Sequence, residues 1–266
     1  MLSISETDNA VKFPPSDLFS DEPPLESYRH LRQIILLLLS LEWWWQERPD
    51  ASENRRNNFF AAGNLTVYYS RHQLRSEDFR GPDFFVVLDT EHKERKSWVV
   101  WEENGKYPNA IVEILSDTTA KVDRTDKRLI YQNIFRTPEY FWFDPYSLEF
   151  EGLRLGKGGK YWPIKANESG WLWSQQLELY LGIVAQKLRF LTPDGDLVPA
   201  PSEAAIQEKL RADVAEQRAE AERQRAESER QKAESESQKA EAERQRAEAA
   251  EAELARLRRQ IEELEN

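Results

Sequence analysis

The chain has 266 residues, a formal net charge of -11 and no cysteine. This length accommodates one globular domain of roughly 150–200 residues and an appendage. The lack of cysteine excludes disulfides and thiolate metal sites, and the negative charge argues against a protein that binds nucleic acid by bulk electrostatics. A metal-dependent nuclease remains compatible with the charge, because a bound cation offsets local acidity.

The N-terminal segment and the apolar stretches indicate the compartment. Residues 1–24 carry two Pro-Pro pairs among acidic and serine residues, which predicts a flexible segment, and they lack the basic and apolar regions of a signal peptide. The most apolar run, Ile34–Leu41, is too short for a membrane helix, which needs about 20 apolar residues. We therefore expect a cytoplasmic protein with no membrane partner.

Residues 25–200 have the pattern of one mixed domain. Helical spacing occurs at Leu25–Gln46 and at about 122–135, where Thr118 or Thr119 can act as the N-cap. Strand patterns occupy 57–70, with a turn at Gly63-Asn64, and then 84–88, 97–101, 110–115, 140–143, 148–155 and 160–164. These elements predict an α/β or α+β fold with a mixed central sheet flanked by helices.

The C-terminal segment, 203–266, is a charged repeat. From Gln217 the sequence repeats every seven residues, and strong helix formers with i,i+4 ion pairs predict a long helix. If Ala219 and its equivalents occupy heptad position a, position d is mostly Glu. Apolar a and d residues occur only at the end: Leu254, Leu257, Ile261 and Leu264. A solvated single helix and an oligomerising coiled coil both remain open, and neither carries chemistry.

Two acidic residues are candidates for a metal site. Glu113 lies inside an apolar strand, where a carboxylate costs several kcal/mol unless it is paired, hydrogen-bonded or metal-bound. Asp83 follows Pro82 at the start of the strand at 84–88. Carboxylates on neighbouring strands, together with the carbonyl of Ile114, offer the oxygen ligands that a hard divalent cation prefers. A helix-end carboxylate such as Glu26 or Glu42 is more simply interpreted as a surface group.

Three residues of the second helix accompany these acids. Asp123, Lys127 and Tyr131 recur every four residues and therefore share a helix face. A divalent cation polarises a phosphoryl oxygen and lowers the pKa of water, and a lysine nearby orients that water or stabilises phosphate charge. The set fits metal-dependent hydrolysis, although Asp123 and Lys127 also fit an ordinary surface pair and Tyr131 a core residue.

The three histidines, His30, His72 and His92, are scattered without the spacing of metal ligands. We therefore expect all three at the surface.

The Pro82-Asp83 pair followed by an acid within a strand resembles the PD-(D/E)xK nuclease motif. The longer pattern is similar to the Uma2 family (DUF820), common in cyanobacteria, across roughly residues 25–190. It comprises Val112–Ser116, then Asp123, Lys127 and Tyr131, and then Glu139–Pro145.

The resemblance implies a restriction-endonuclease-like core that depends on Mg²⁺ or Mn²⁺ and cleaves DNA. It implies that Asp83 and Glu113 ligate metal with the Ile114 carbonyl, that Lys127 is catalytic, and that Asp123 and Tyr131 support it. Nucleases of this fold also usually dimerise, which implies a homo-oligomer.

One position departs from the motif. An E-x-K pattern that begins at Glu113 places lysine at 115, where this chain has Leu115 on the same strand face. Lys127 is then the residue that supplies the positive charge. If it does not, the alternative is a catalytically inactive nuclease-fold protein that acts as an interaction module through its C-terminal helix.

Overall fold

The computed structural model describes residues 19–20, 25, 27–48, 56–69, 79–116 and 123–264, without the side chains of 79, 123–124 and 260–264. The chain divides into two compact units, Met1–Ala204 and Ala205–Asn266. Among the described residues, no helix has the length and apolar character needed to cross a membrane.

Three helical segments occur in the described residues. Helix α1, Tyr28–Glu42, continues into a π-helical turn at Trp43–Glu47. Helix α2 consists of a π-helical turn at Asp123–Lys127, an α-helical piece at Arg128–Ile130 and a second π-helical turn at Tyr131–Phe135. Helix α3 runs from Pro201 to Leu264. The three predicted helices are confirmed, but α2 is wider than the regular helix that its spacing suggests.

Strands occur in every segment predicted to contain one. The strands of the described residues are β1 (Phe59–Gly63), β2 (Val67–Tyr68), β3 (Phe79–Arg80), β4 (Phe84–Leu88), β5 (Trp98–Val99), β6 (Ala110–Ile114), β7 (Glu139–Phe143), β8 (Phe150–Leu155), β9 (Tyr161–Pro163), β10 (Leu172–Ser174), β11 (Leu179–Val184) and β12 (Lys187–Leu191). Four of these described strands, β3 and β10–β12, lie outside the predicted segments. One sheet has the order β1-β4-β6-β7-β8-β9, with β6 and β7 parallel and the other neighbours antiparallel. The remaining strands form two small sheets, β10-β11-β12 and β3-β2-β5. The predicted mixed α/β fold with a central sheet is confirmed.

The central sheet separates two hydrophobic cores. Alternate residues of β6 point to opposite faces, so Val112 and Ile114 join the core under α1, whereas Ile111 and Leu115 join the core under α2. Every residue of β6 and β7 is buried, including the acids Glu113 and Glu139. The apolar residues around Glu113 predict this burial for β6. Helix α1 therefore covers one face of the sheet and α2 the other, and both place a side chain near the C-terminal end of β6.

The segment predicted to be flexible is described only at Phe19 and Ser20 and at the isolated Leu25 that follows it. The backbone N–H of Ser20 donates to the Lys96 carbonyl at 3.1 Å, and the Tyr68 hydroxyl donates to the Phe19 carbonyl at 2.9 Å. These two residues are thus attached to the region of the small sheet β3-β2-β5. The other residues of 1–24 lie outside the described ones.

Candidate nuclease site

Asp83 and Glu113 meet where the interior strands β4 and β6 of the central sheet lie side by side, at the start of β4 and the end of β6. Because β4 and β6 are antiparallel, the start of β4 lies beside the end of β6. The Asp83 carboxylate accepts a hydrogen bond at Oδ2 from the Ile114 backbone N–H at 2.7 Å, and the Asp83 N–H donates to Glu113 Oε2 at 3.4 Å. The two acids identified in the sequence are therefore neighbours in space, and both are buried.

Glu113 is fully buried and is held by two side chains of α2. The Tyr131 hydroxyl donates to Oε1 at 2.7 Å, and Lys127 Nζ lies 3.0 Å from Oε2. This ion pair and these hydrogen bonds offset the desolvation of the carboxylate. The prediction that Lys127 and Tyr131 share a face is confirmed, because both reach the same carboxylate.

Leu115 is buried in the core under α2, on the strand face that it shares with Glu113. The position where the motif expects an ammonium group is therefore filled by an apolar side chain. Lys127 places its ammonium group beside Glu113 from the helix instead. The side chain of Asp123 lies outside the described residues, so its predicted support of Lys127 stays a prediction.

The oxygen atoms at the end of β6 and the start of β4 are of the type that a hard divalent cation prefers as ligands. Within a strand, the N–H and C=O of one residue point to the same side, so the Ile114 carbonyl faces the side of Asp83. Two carboxylates and this carbonyl are the donor types that Mg²⁺ prefers. Among the described residues, no three His, Asp or Glu side chains converge into a complete metal cage.

His30 contradicts the expectation of a surface residue. It is 6% exposed, and its Nε2 lies 2.9 Å from Asp83 Oδ1. The sequence signal was present, because His30 has the helical spacing of the buried Ile34, Leu37 and Leu41. His92 is exposed, as expected, whereas His72 lies outside the described residues.

Glu42 lies at the opposite end of α1 from His30, about 18 Å along the helix axis. Burial raises the pKa of its carboxyl group; the nearby charge of His92 opposes this rise, and that of Glu47 adds to it. Glu42 is therefore not part of the Asp83 and Glu113 site, and Glu26 lies outside the described residues.

A second buried acid, Glu139, has a different environment. It accepts hydrogen bonds from the Arg154 guanidinium, the Ser174 hydroxyl and the backbone N–H groups of Gln175 and Gln176. It joins β7 to the end of β10 and the loop that follows. Sequence reasoning missed this role, because the partners lie 15–37 residues away along the chain.

A buried carboxylate pair at the ends of two neighbouring strands, with a lysine beside one carboxylate, is an arrangement suited to hydrolysis of phosphodiesters. The sequence profile of the Uma2 family, described as "Putative restriction endonuclease", matches residues 6–189. The chain belongs to the Uma2 family.

The chain was also compared with solved structures and with curated proteins. The crystal structure of a "putative nuclease belonging to DUF820" from Anabaena variabilis ATCC 29413 aligns with a TM-score of 0.40 and 13% identity. The alignment covers 58% of this chain and 76% of that one. No curated protein matches the sequence.

Proposed function

We propose that this protein is a divalent-cation-dependent endonuclease that hydrolyses phosphodiester bonds in DNA. The observation that carries the proposal is Glu113, a fully buried carboxylate that contacts Lys127 and Tyr131 and lies beside Asp83. The description of the Uma2 family supports this class of reaction.

Asp83, Glu113 and the Ile114 carbonyl would hold Mg²⁺ or Mn²⁺. Such a cation, when bound, polarises a phosphoryl oxygen and lowers the pKa of water. Tyr131 fixes the orientation of Glu113 through its hydrogen bond to Oε1. In this assignment, the two carboxylates bind the cation and Tyr131 orients the carboxylate of Glu113.

Lys127 has the role of stabilising negative charge on the phosphate or orienting the attacking water. Its side chain is 19% exposed, whereas the side chain of Glu113 has no exposed area. The ammonium group therefore lies between the buried carboxylate and solvent, where an incoming phosphate meets it. A fixed positive charge in a partly desolvated site stabilises developing negative charge more strongly than it does in bulk water. Asp123, on the preceding turn, is assigned to hold Lys127 in place.

Incubation of the full chain with supercoiled plasmid tests the proposal. We expect nicking or linearisation with Mg²⁺ or Mn²⁺ and none with EDTA. Lys127→Ala removes one charge-stabilising group, so its rate should fall about 10²–10³-fold. The cleavage rate of Asp83→Asn should fall at least as far. Glu151 on β8 is exposed, so Glu151→Gln should cleave DNA at the wild-type rate. Wild-type rates from Asp83→Asn would refute the assignment, and single-stranded DNA and RNA in parallel would define the substrate.

The long helix α3 supports a second part of the proposal, that the protein forms homo-oligomers. Leu254 and Leu257 of α3 are 55% and 49% exposed, and they occupy the heptad positions suited to a helix–helix seam. We expect the 31.2 kDa chain to run as a dimer or larger species in light scattering. Leu254→Glu combined with Leu257→Glu should shift it toward the monomer mass, while Ala249→Glu should not. An unchanged mass in the double variant would assign assembly, if any, to another surface.

A further inference from the structure

The imidazole of His30 is buried beside Asp83 without a hydrogen bond. Neither Nδ1 nor Nε2 has a hydrogen-bond partner among the described residues. Nε2 lies 2.9 Å from Asp83 Oδ1, but the direction of the ring nitrogen passes beside that oxygen and forms no hydrogen bond with it. A buried polar atom without a partner is unfavourable, so this geometry requires an explanation.

The separation of these two atoms is that of two ligands of one cation. When each ligand is about 2.1 Å from an octahedral cation, ligands on adjacent corners are about 3 Å apart. In that geometry the lone pair of each ligand points at the cation and passes beside the other ligand. A cation between Nε2 and Oδ1 therefore satisfies Nε2 and accounts for the misdirected contact. Nδ1 would then carry the proton, and it has no hydrogen-bond partner among the described residues.

The surrounding structure fixes both atoms. Ser27 caps α1 and accepts the backbone N–H of His30 at 3.2 Å, which sets His30 in the first turn of the helix. The other oxygen of Asp83 accepts the Ile114 N–H, so Oδ1 is the oxygen that is directed toward His30. Lys127 approaches Glu113 from α2, so the imidazole and the ammonium group do not compete for the same carboxylate.

We propose that His30 Nε2 is a ligand of the catalytic cation and makes the site selective for Mn²⁺ over Mg²⁺. This proposal rests on the proposed function, because it assumes the cation site at Asp83 and Glu113. It requires Glu113 to approach His30 and Asp83 when the cation binds, because these three side chains do not form a metal-binding group in this structure. Mg²⁺ prefers oxygen ligands, whereas imidazole binds transition metals, and the affinity of a nitrogen-containing site rises from Mn²⁺ along the first row. One nitrogen among oxygen ligands therefore favours Mn²⁺ over Mg²⁺.

Calorimetric titration of Mn²⁺ and Mg²⁺ into the full chain tests the selectivity. We expect the wild type to bind Mn²⁺ at least about tenfold more tightly than Mg²⁺. His30→Ala should weaken Mn²⁺ binding at least about 10-fold, because the loss of a ligand costs no less than the loss of an outer-shell partner. Mg²⁺ binding should weaken much less. Leu31→Ala, the adjacent and partly exposed position on α1, should bind both cations like the wild type. Unchanged Mn²⁺ affinity in His30→Ala would overturn the proposal.

Pulsed electron paramagnetic resonance of bound Mn²⁺ tests the ligand directly in the wild-type protein. Coordination by His30 predicts a nitrogen coupling in the wild type that disappears in His30→Gln, and a spectrum without nitrogen coupling would refute the ligand. A purely structural His30 would instead lower the melting temperature in EDTA when replaced and leave cation affinity unchanged.

Asp83→Asn separates this proposal from the proposed function. If Asp83→Asn no longer binds either cation while His30→Ala binds both like the wild type, the cation site is supported and only the role of His30 is refuted. If the wild type binds neither cation, both proposals fail.

Discussion

Replacing Glu113 by glutamine is expected to slow cation-dependent DNA cleavage about 10²–10³-fold, which corresponds to about 2.7–4 kcal/mol of transition-state stabilisation. Glutamine keeps the volume of the side chain and still accepts the Tyr131 hydroxyl at one oxygen. It has no negative charge, so it is a weak cation ligand, and it removes the carboxylate charge that lies 3.0 Å from Lys127 Nζ. Cleavage of a labelled duplex under single-turnover conditions measures the effect.

A double variant separates the chemical role of Glu113 from its structural role. Removing one member of a buried ion pair destabilises a protein, whereas replacing both members by neutral groups of similar shape is often close to neutral. We therefore expect Glu113→Gln combined with Lys127→Met to regain the stability that Glu113→Gln loses, without regaining cleavage. If the double variant regained cleavage, both residues would be scaffolding for a site elsewhere.

Replacing Glu139 by alanine is expected to lower the free energy of unfolding by about 3–5 kcal/mol, because it breaks a buried ion pair. Glu139 has no exposed side-chain area and lies 2.8 Å from the Arg154 guanidinium. Its removal leaves the Ser174 hydroxyl and the backbone N–H groups of Gln175 and Gln176 without their acceptor. Urea unfolding followed by tryptophan fluorescence measures the loss, since all nine tryptophans precede the C-terminal helix.

The matched control for Glu139 is Glu151→Ala. Glu151 lies on the neighbouring strand β8 but is exposed, so its removal should change the unfolding free energy by less than about 0.5 kcal/mol. Glu139→Gln should fall between the two, because the amide keeps the shape and one acceptor but loses the charge. Equal losses from Glu139→Ala and Glu151→Ala would show that the buried cluster contributes nothing specific to stability.

Much of the candidate site follows from local sequence. Glu113 was recognised because it is an acid inside an apolar strand, and Asp83 because it follows Pro82 at the start of another strand. The four-residue spacing placed Lys127 and Tyr131 on one helix face. The structure brings these four side chains together at the end of β6 and the start of β4. Each of these signals depends on residues a few positions apart, and such spacing directly sets which face of an element a side chain occupies.

The sequence determined the strands β6 and β7, the helical nature of 123–135 and 203–264, and the helix face that Lys127 and Tyr131 share. Only the tertiary structure decided what each face meets. His30 was expected at the surface and lies against Asp83, and Glu139 meets partners from β8 and the end of β10. The physical reason is that periodicity fixes the direction of a side chain relative to its own backbone. The group opposite that side chain depends on how distant segments pack.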